Sequence, residues 1–139
     1  MTETAVFTLE RGLERYRDGE AAETLLPDFK SLCDREPKNA AAWSCLAWLY
    51  LLTDKPEPAL KAAQKSVKLD KVSPQNRVNL VLAMLETKKP GVRDHIDIVK
   101  QIISFNDEVR GEVAENIEDG LQRNPNWKGL QKVKAWLNE

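Results

Sequence analysis

A single histidine and two cysteines are all that these 139 residues offer to the chemistries that depend on those side chains. One histidine removes His-based acid–base catalysis and multi-His metal sites from the expected functions. Two cysteines are too few for a disulfide framework, which points to a reducing, cytoplasmic compartment. No apolar run approaches the roughly 20 residues needed to cross a bilayer, so no membrane insertion is expected. The start, Met1-Thr2-Glu3-Thr4-Ala5, has neither the basic nor the apolar segment of a signal peptide. An excess of one charge is also missing: 21 Lys and Arg oppose 22 Asp and Glu, for a formal net charge of −1. Nucleic-acid binders usually carry a clear basic excess, so nucleic acid is not an expected partner. Neither GxxxxGK[ST] nor GxGxxG occurs, and no nucleotide or other cofactor is expected.

What is present is a globular composition, 42% hydrophobic and 31% charged, in a chain of one-domain length. The apolar spacing is helical. Ala59, Ala62, Ala63, Ser66 and Val67 follow an i, i+3, i+4, i+7 pattern, as do Leu46, Leu49, Tyr50 and Thr53. No segment sustains a period of two, so the fold class is all-α. Short punctuation divides the chain into eight helices. The breaks are Asp18-Gly19-Glu20, Pro37-Lys38-Asn39, Thr53 to Pro56, Ser73-Pro74, Lys89-Pro90-Gly91, Ser104 to Asp107 and Asn124-Pro125-Asn126. Such short connections predict antiparallel helical hairpins. Pro27 falls inside the second helix, which predicts a kink there or a helix beginning near Leu25.

The hairpins repeat. Trp43, Leu46, Ala47 and Tyr50 lie on one helix, followed by Ala59, Ala63 and Ser66 on the next, with Pro37 closing the preceding unit. This pattern resembles the tetratricopeptide repeat (TPR), a helix-turn-helix unit of 34 residues. Small residues at Ala47 and Ala59 let paired helices approach, and large ones at Trp43, Leu46 and Tyr50 fill the space between repeats. A first repeat carries Gly12, Tyr16, Gly19, Phe29 and Pro37, with one residue too many between Gly19 and Pro37 that predicts a bulge at Pro27. A third keeps Leu80 but has Arg77, Met84 and Arg93 where the pattern has Trp, Tyr and Ala. The resemblance implies a right-handed solenoid of three helix pairs, 5–39, 40–73 and 74–107, with residues 108–139 as a C-terminal capping hairpin.

In TPR arrays the first helix of each pair lines a concave groove that receives a peptide or helix. By resemblance the groove here is Ala41, Ser44, Trp48, Leu51 and Leu52 in the second repeat and Gln75, Val78, Asn79, Leu82, Leu85 and Glu86 in the third. Leu9, Leu13 and Arg17 are the candidates in the first. The cationic cradle with which one TPR subfamily clamps chaperone C-termini is missing: Asn79 is in place, but Ser44, Cys45 and Trp48 occupy its other positions. The apolar groove either takes an amphipathic partner segment or is buried under the chain's own C-terminal helix.

The C-terminal helices leave further alternatives. Val109, Val113, Ile117 and Leu121 form an apolar stripe opposite Glu108, Glu112, Glu115, Glu118 and Asp119, which suits a cap over the array's end or an acidic docking surface. Trp127, Leu130, Val133, Trp136 and Leu137 complete a fourth pair, fold into the groove or dock on another chain. Charge runs in blocks: −4 over residues 1–54, +5 over 55–100, −5 over 101–122 and +3 over 123–139. Lys61, Lys65 and Lys68 share one helix face, either solvated or an electrostatic patch. His95 lies beside Asp94 and Asp97 with no nucleophile or metal partner and is expected at the surface. Cys33 and Cys45 are expected as packed thiols. The expected function is a non-catalytic protein-interaction module, an adaptor, chaperone or assembly factor. The alternative is a homo-oligomer formed through the helix of Trp136 and Leu137.

Overall fold

The computed structural model describes residues 6–139; residue 5, where the first repeat was expected to begin, lies outside them. Eight α-helices follow one another among the described residues: α1 (Leu9–Arg17), α2 (Ala22–Arg35), α3 (Ala40–Leu52), α4 (Pro56–Leu69), α5 (Pro74–Glu86), α6 (Val92–Ser104), α7 (Asp107–Arg123) and α8 (Lys128–Leu137). Each of the first six packs on its successor.

Local chemistry sets the boundaries. The side chains of Thr8, Asn39, Ser73 and Asn106 accept the backbone N–H three residues on, and so start α1, α3, α5 and α7. Pro56 and Pro74 occupy first turns, where no backbone donor is needed. The turns inside the first three pairs are alike. Gly19, Asp54 and Lys88 adopt left-handed conformations with φ of 95°, 58° and 59°. After each, a backbone N–H reaches back to the helix just ended: Glu20 to Arg15, Lys55 to Tyr50 and Lys89 to Met84. This recurring turn is the repeat written in the backbone.

Pro27 lies within α2, which starts at Ala22 rather than near Leu25 and runs on as an α-helix to Arg35. Pro27 is exposed, and the carbonyl it leaves without a donor, on Glu23, belongs to an exposed residue that solvent can serve. The extra residue of the first repeat sits earlier. After the left-handed residue, α2 begins at the third position and α4 at the second. The longer turn brings Glu20 onto Arg15, whose Nε donates to Glu20 Oε1 at 2.8 Å.

The core is continuous. Ala47, Ala59 and Ala63 are fully buried, which lets α3 and α4 pack closely. Gly12 does the same for α1 against α2: a Cβ there would stand 2.4 Å from the Phe29 ring. Leu46 and Leu80 are buried, and Tyr16, Trp43 and Tyr50 are half-buried against the core. Buried Asn76 donates to the carbonyls of Ser66 (3.1 Å), which also accepts the Asp70 N–H, and of Asp70 (3.2 Å), and so ties α5 to the end of α4. Where the repeat pattern has Trp, Arg77 places its guanidinium 3.1 Å from His95 Nδ1. His95 is therefore half-buried between α5 and α6, not a free surface side chain.

Candidate functional site

Helices α1, α3 and α5 line the concave face, and α7 lies across it. The crossing is read from its contacts: Asn116 donates to Gln75 on α5 (3.0 Å), Gly120 abuts Trp48 on α3, and Arg123 donates to the carbonyls of Tyr16 (2.6 Å) and Glu20 (3.0 Å) at the end of α1. A Cβ on Gly120 would stand 2.8 Å from the Trp48 indole, so only glycine allows this approach. Helix α8 packs on α5 and α6 and buries Leu130 and Val133. Trp127, at its start, meets Trp48 with ring centroids 5.2 Å apart. The C-terminal hairpin thus packs on the last pair, α5 and α6, and reaches over the concave face, with Val113 and Ile117 of the α7 stripe buried.

This placement divides the expected groove in two. Val78 and Leu82 are fully buried, Leu51 and Trp48 nearly so, and Leu82 and Leu85 lie against Gly129 of α8. Leu52 is half-buried and Glu86 is exposed at the end of α5. The other part stays open as a cavity of about 420 Å³. Ser44, Gln75 and Asn79 line it, together with the outer edge of Trp48 and with Leu13 and Arg17 from α1. Phe29, Cys45 and Leu49 supply apolar floor, and α7 closes one wall with Glu115, Asn116 and Asp119.

Two hydrogen-bonded chains stiffen these walls. In one, Asn116 donates to Gln75, Gln75 to Asn79 Oδ1 (2.9 Å), and Asn79 to both the carbonyl and the hydroxyl of Ser44 (3.0 Å each). In the other, Trp48 Nε1 donates to the Tyr16 hydroxyl (2.9 Å), which donates to Asp119. Arg123 stands 3.7 Å over the Tyr16 ring and beside Asp119. Burial, then the hydrogen bond to Asp119, holds the Tyr16 phenol well above its ordinary value, so it remains a donor. Burial also pushes the Cys45 thiol up to about 12, and it pushes Cys33 to about 12 with help from neighbouring Cys45. Both are inert thiols at neutral pH.

No group of three or more His, Cys, Asp or Glu among the described residues is arranged to hold a metal ion. No described helix is long and apolar enough to cross a membrane. The residues that sequence reasoning missed are Asn116, Arg123 and Gly120, all on α7. Gly120 gave the available signal, because glycine in a helix interior marks a close approach.

No protein-family model matches the chain, and no curated protein matches it. A solved structure does: the first TPR of Spaghetti (RPAP3) bound to the HSP90 peptide SRMEEVD. It is 16% identical, with a TM-score of 0.52, over 94% of this chain and 90% of that one. At that identity the likeness carries the fold alone, and the fold agrees with the recurring turns and small-residue contacts described above: the chain is a TPR-like, all-α helical repeat.

Proposed function

We propose that the chain is a non-catalytic protein–protein interaction module, working as an adaptor, chaperone or assembly factor, and that it holds a short segment of a partner protein in the concave cavity. The observation that carries this reading is the cavity itself. It opens on the face where groove positions Ser44, Gln75 and Asn79 converge, and α7 leaves it uncovered. Its volume, about 420 Å³, sits at the small end of the roughly 300–1,000 Å³ of ligand sites. A whole amphipathic helix, about 10–12 Å across, has no room beside α7; a few residues of extended chain do. The peptide-bound state of the structural neighbour supports the same use of the fold. The two free thiols suit a reducing compartment such as the cytoplasm.

The self-association reading loses its motive. Trp127 is buried on Trp48, and Trp136 is half-buried with the Arg93 guanidinium 4.8 Å and the Lys132 ammonium 5.7 Å from its ring. Affinity capture from the native cell, read by mass spectrometry, tests the proposal. A Leu13→Trp variant fills the cavity from a position outside the hydrogen-bonded chains and is expected to lose the captured partner while keeping its circular dichroism. A partner retained by that variant would show that the cavity is not the site.

A further inference from the structure

We infer that the concave cavity selects a cationic segment, an extended peptide that places a Lys or Arg side chain against Glu115 and Asp119 of α7. This rests on the cavity being the interaction site and adds the chemistry of the partner.

The argument begins with hydrogen-bond valence. The Ser44 hydroxyl and the exposed Arg17 guanidinium aside, the nitrogen and hydroxyl donors of the walls are already engaged within them: Trp48 Nε1 on Tyr16, the Tyr16 hydroxyl on Asp119, Gln75 Nε2 on Asn79, and Asn79 Nδ2 on Ser44. The strongest acceptors are not. Among the described residues the Glu115 carboxylate has no hydrogen-bond or ion-pair partner, and Asp119 uses only Oδ2, leaving Oδ1 free. A ligand that satisfies this wall is a donor, and a charged donor satisfies it best.

Charge points the same way. Glu108, Glu112, Glu115 and Asp119 follow one another at helical spacing, so they share a face of α7, and two of them reach the cavity. The remaining acidic side chain of that stretch, Glu118, is held apart by Lys134. Arg17 is the one basic side chain among the cavity's lining residues, and it is exposed at the end of α1. Arg123, behind Asp119, is tied to the carbonyls of Tyr16 on α1 and of Glu20 in the turn after it. That arginine is also an internal precedent: the protein seats a guanidinium on Tyr16 and beside Asp119 from its own chain. The apolar lining of Leu13, Leu49 and the Trp48 edge suits the aliphatic stem of a second Lys or Arg. An acidic segment would meet Glu115 and Asp119 with only Arg17 at the end of α1 to oppose them, because none of the side chains that α3 and α5 supply there is charged. Laying α7 across the face thus gives the uncharged α3 and α5 side of the cavity an acidic wall opposite it.

The test uses the full chain and two capped hexapeptides of equal leucine content, one with two lysines and its twin with two glutamates. Binding is followed by amide chemical shifts at low and at physiological salt. The expected result is that the lysine peptide moves the amides of Leu13, Ser44, Gln75 and Asn116. It binds about two- to fivefold more tightly than its twin at low salt, the scale of a single exposed charge pair. The double variant Glu112→Gln, Glu115→Gln, made at exposed positions, is expected to narrow that gap. Equal or tighter binding of the glutamate peptide, with shifts at the same amides, would overturn the charge assignment and leave the cavity as the interaction site. Shifts from the lysine peptide confined to the outer face of α7 would overturn it as a surface charge effect. If neither peptide moves the cavity amides, the interaction site itself is misplaced.

Discussion

Glycines 111 and 120 sit in the same helix and do opposite things. A Cβ at Gly111 meets nothing within 4 Å, whereas one at Gly120 would stand 2.6 Å from Leu130 and 2.8 Å from Trp48. Gly111→Ala is therefore expected to stabilise the protein by about 0.5–1 kcal/mol through helix propensity alone. Gly120→Ala is expected to destabilise it by about 1–2 kcal/mol, the overpacking cost exceeding the same propensity gain. Urea unfolding of the two variants checks both signs. His95 supplies a pH dependence at this scale. Burial, and then the Arg77 guanidinium, lower its pKa in the folded protein, with Asp94 opposing. The unfolded chain therefore takes up the proton first as pH falls. The contribution of neutral His95 is complete above about pH 6.5 and is lost below it. Thermal melts from pH 7.5 to 5 should show Tm falling through that window, and His95→Gln should flatten that component.

At the scale of elements, α7 decides most. Its apolar residues and its carboxylates were both legible in the sequence, because helical periodicity depends only on residue order. Which surface the stripe covers was not, because an end of the array and its concave face are equally apolar targets. The helix covers both: Val113 and Ile117 face α6 and α8 at the end of the array, while Gly120 admits the Trp48 ring and Arg123 reaches the carbonyls of Tyr16 and Glu20. Arg123→Ala removes two charged hydrogen bonds and the contact with the Tyr16 ring. It is expected to loosen the last turn of α7 from α1 by about 2–4 kcal/mol. Hydrogen exchange should report this as faster exchange confined to the end of α7 and to α1, with α3 to α5 unchanged. The first-repeat turn teaches a similar lesson. The sequence showed one residue too many but not where it lodges, and a turn lengthened before α2 accommodates it at less cost than a distortion of a packed helix.

For the whole molecule, the C-terminal hairpin completes the fold rather than extending it. Trp48, Val78 and Leu82 are buried because α7 and α8 cover them. Ending the chain after residue 106 uncovers that strip, and contiguous exposed apolar surface drives association. The expected outcome is loss of the light-scattering mass of the intact chain to larger species, with dye binding to exposed apolar surface; a truncated chain of unchanged association state that binds no dye would contradict it. The same burial changes how Trp48 and Leu82 are used in experiments. Substitutions there test stability, whereas Leu13 and Glu115 at the cavity test recognition.

The sequence by itself determined the eight helices, the breaks between them and the antiparallel hairpins of the first six. Each depends on residues a few positions apart, and the spacing of Trp43, Leu46, Ala47, Tyr50, Ala59 and Ala63 carries it directly. Only the tertiary structure decided the fate of the groove. Contacts such as Tyr16 with Asp119 and Trp48 with Trp127 join residues far apart in the chain, and no local period encodes them. They arise because an apolar concave face and an amphipathic helix with a glycine in its last turn lower their free energy by covering each other. What they leave uncovered is the small, acid-walled cavity.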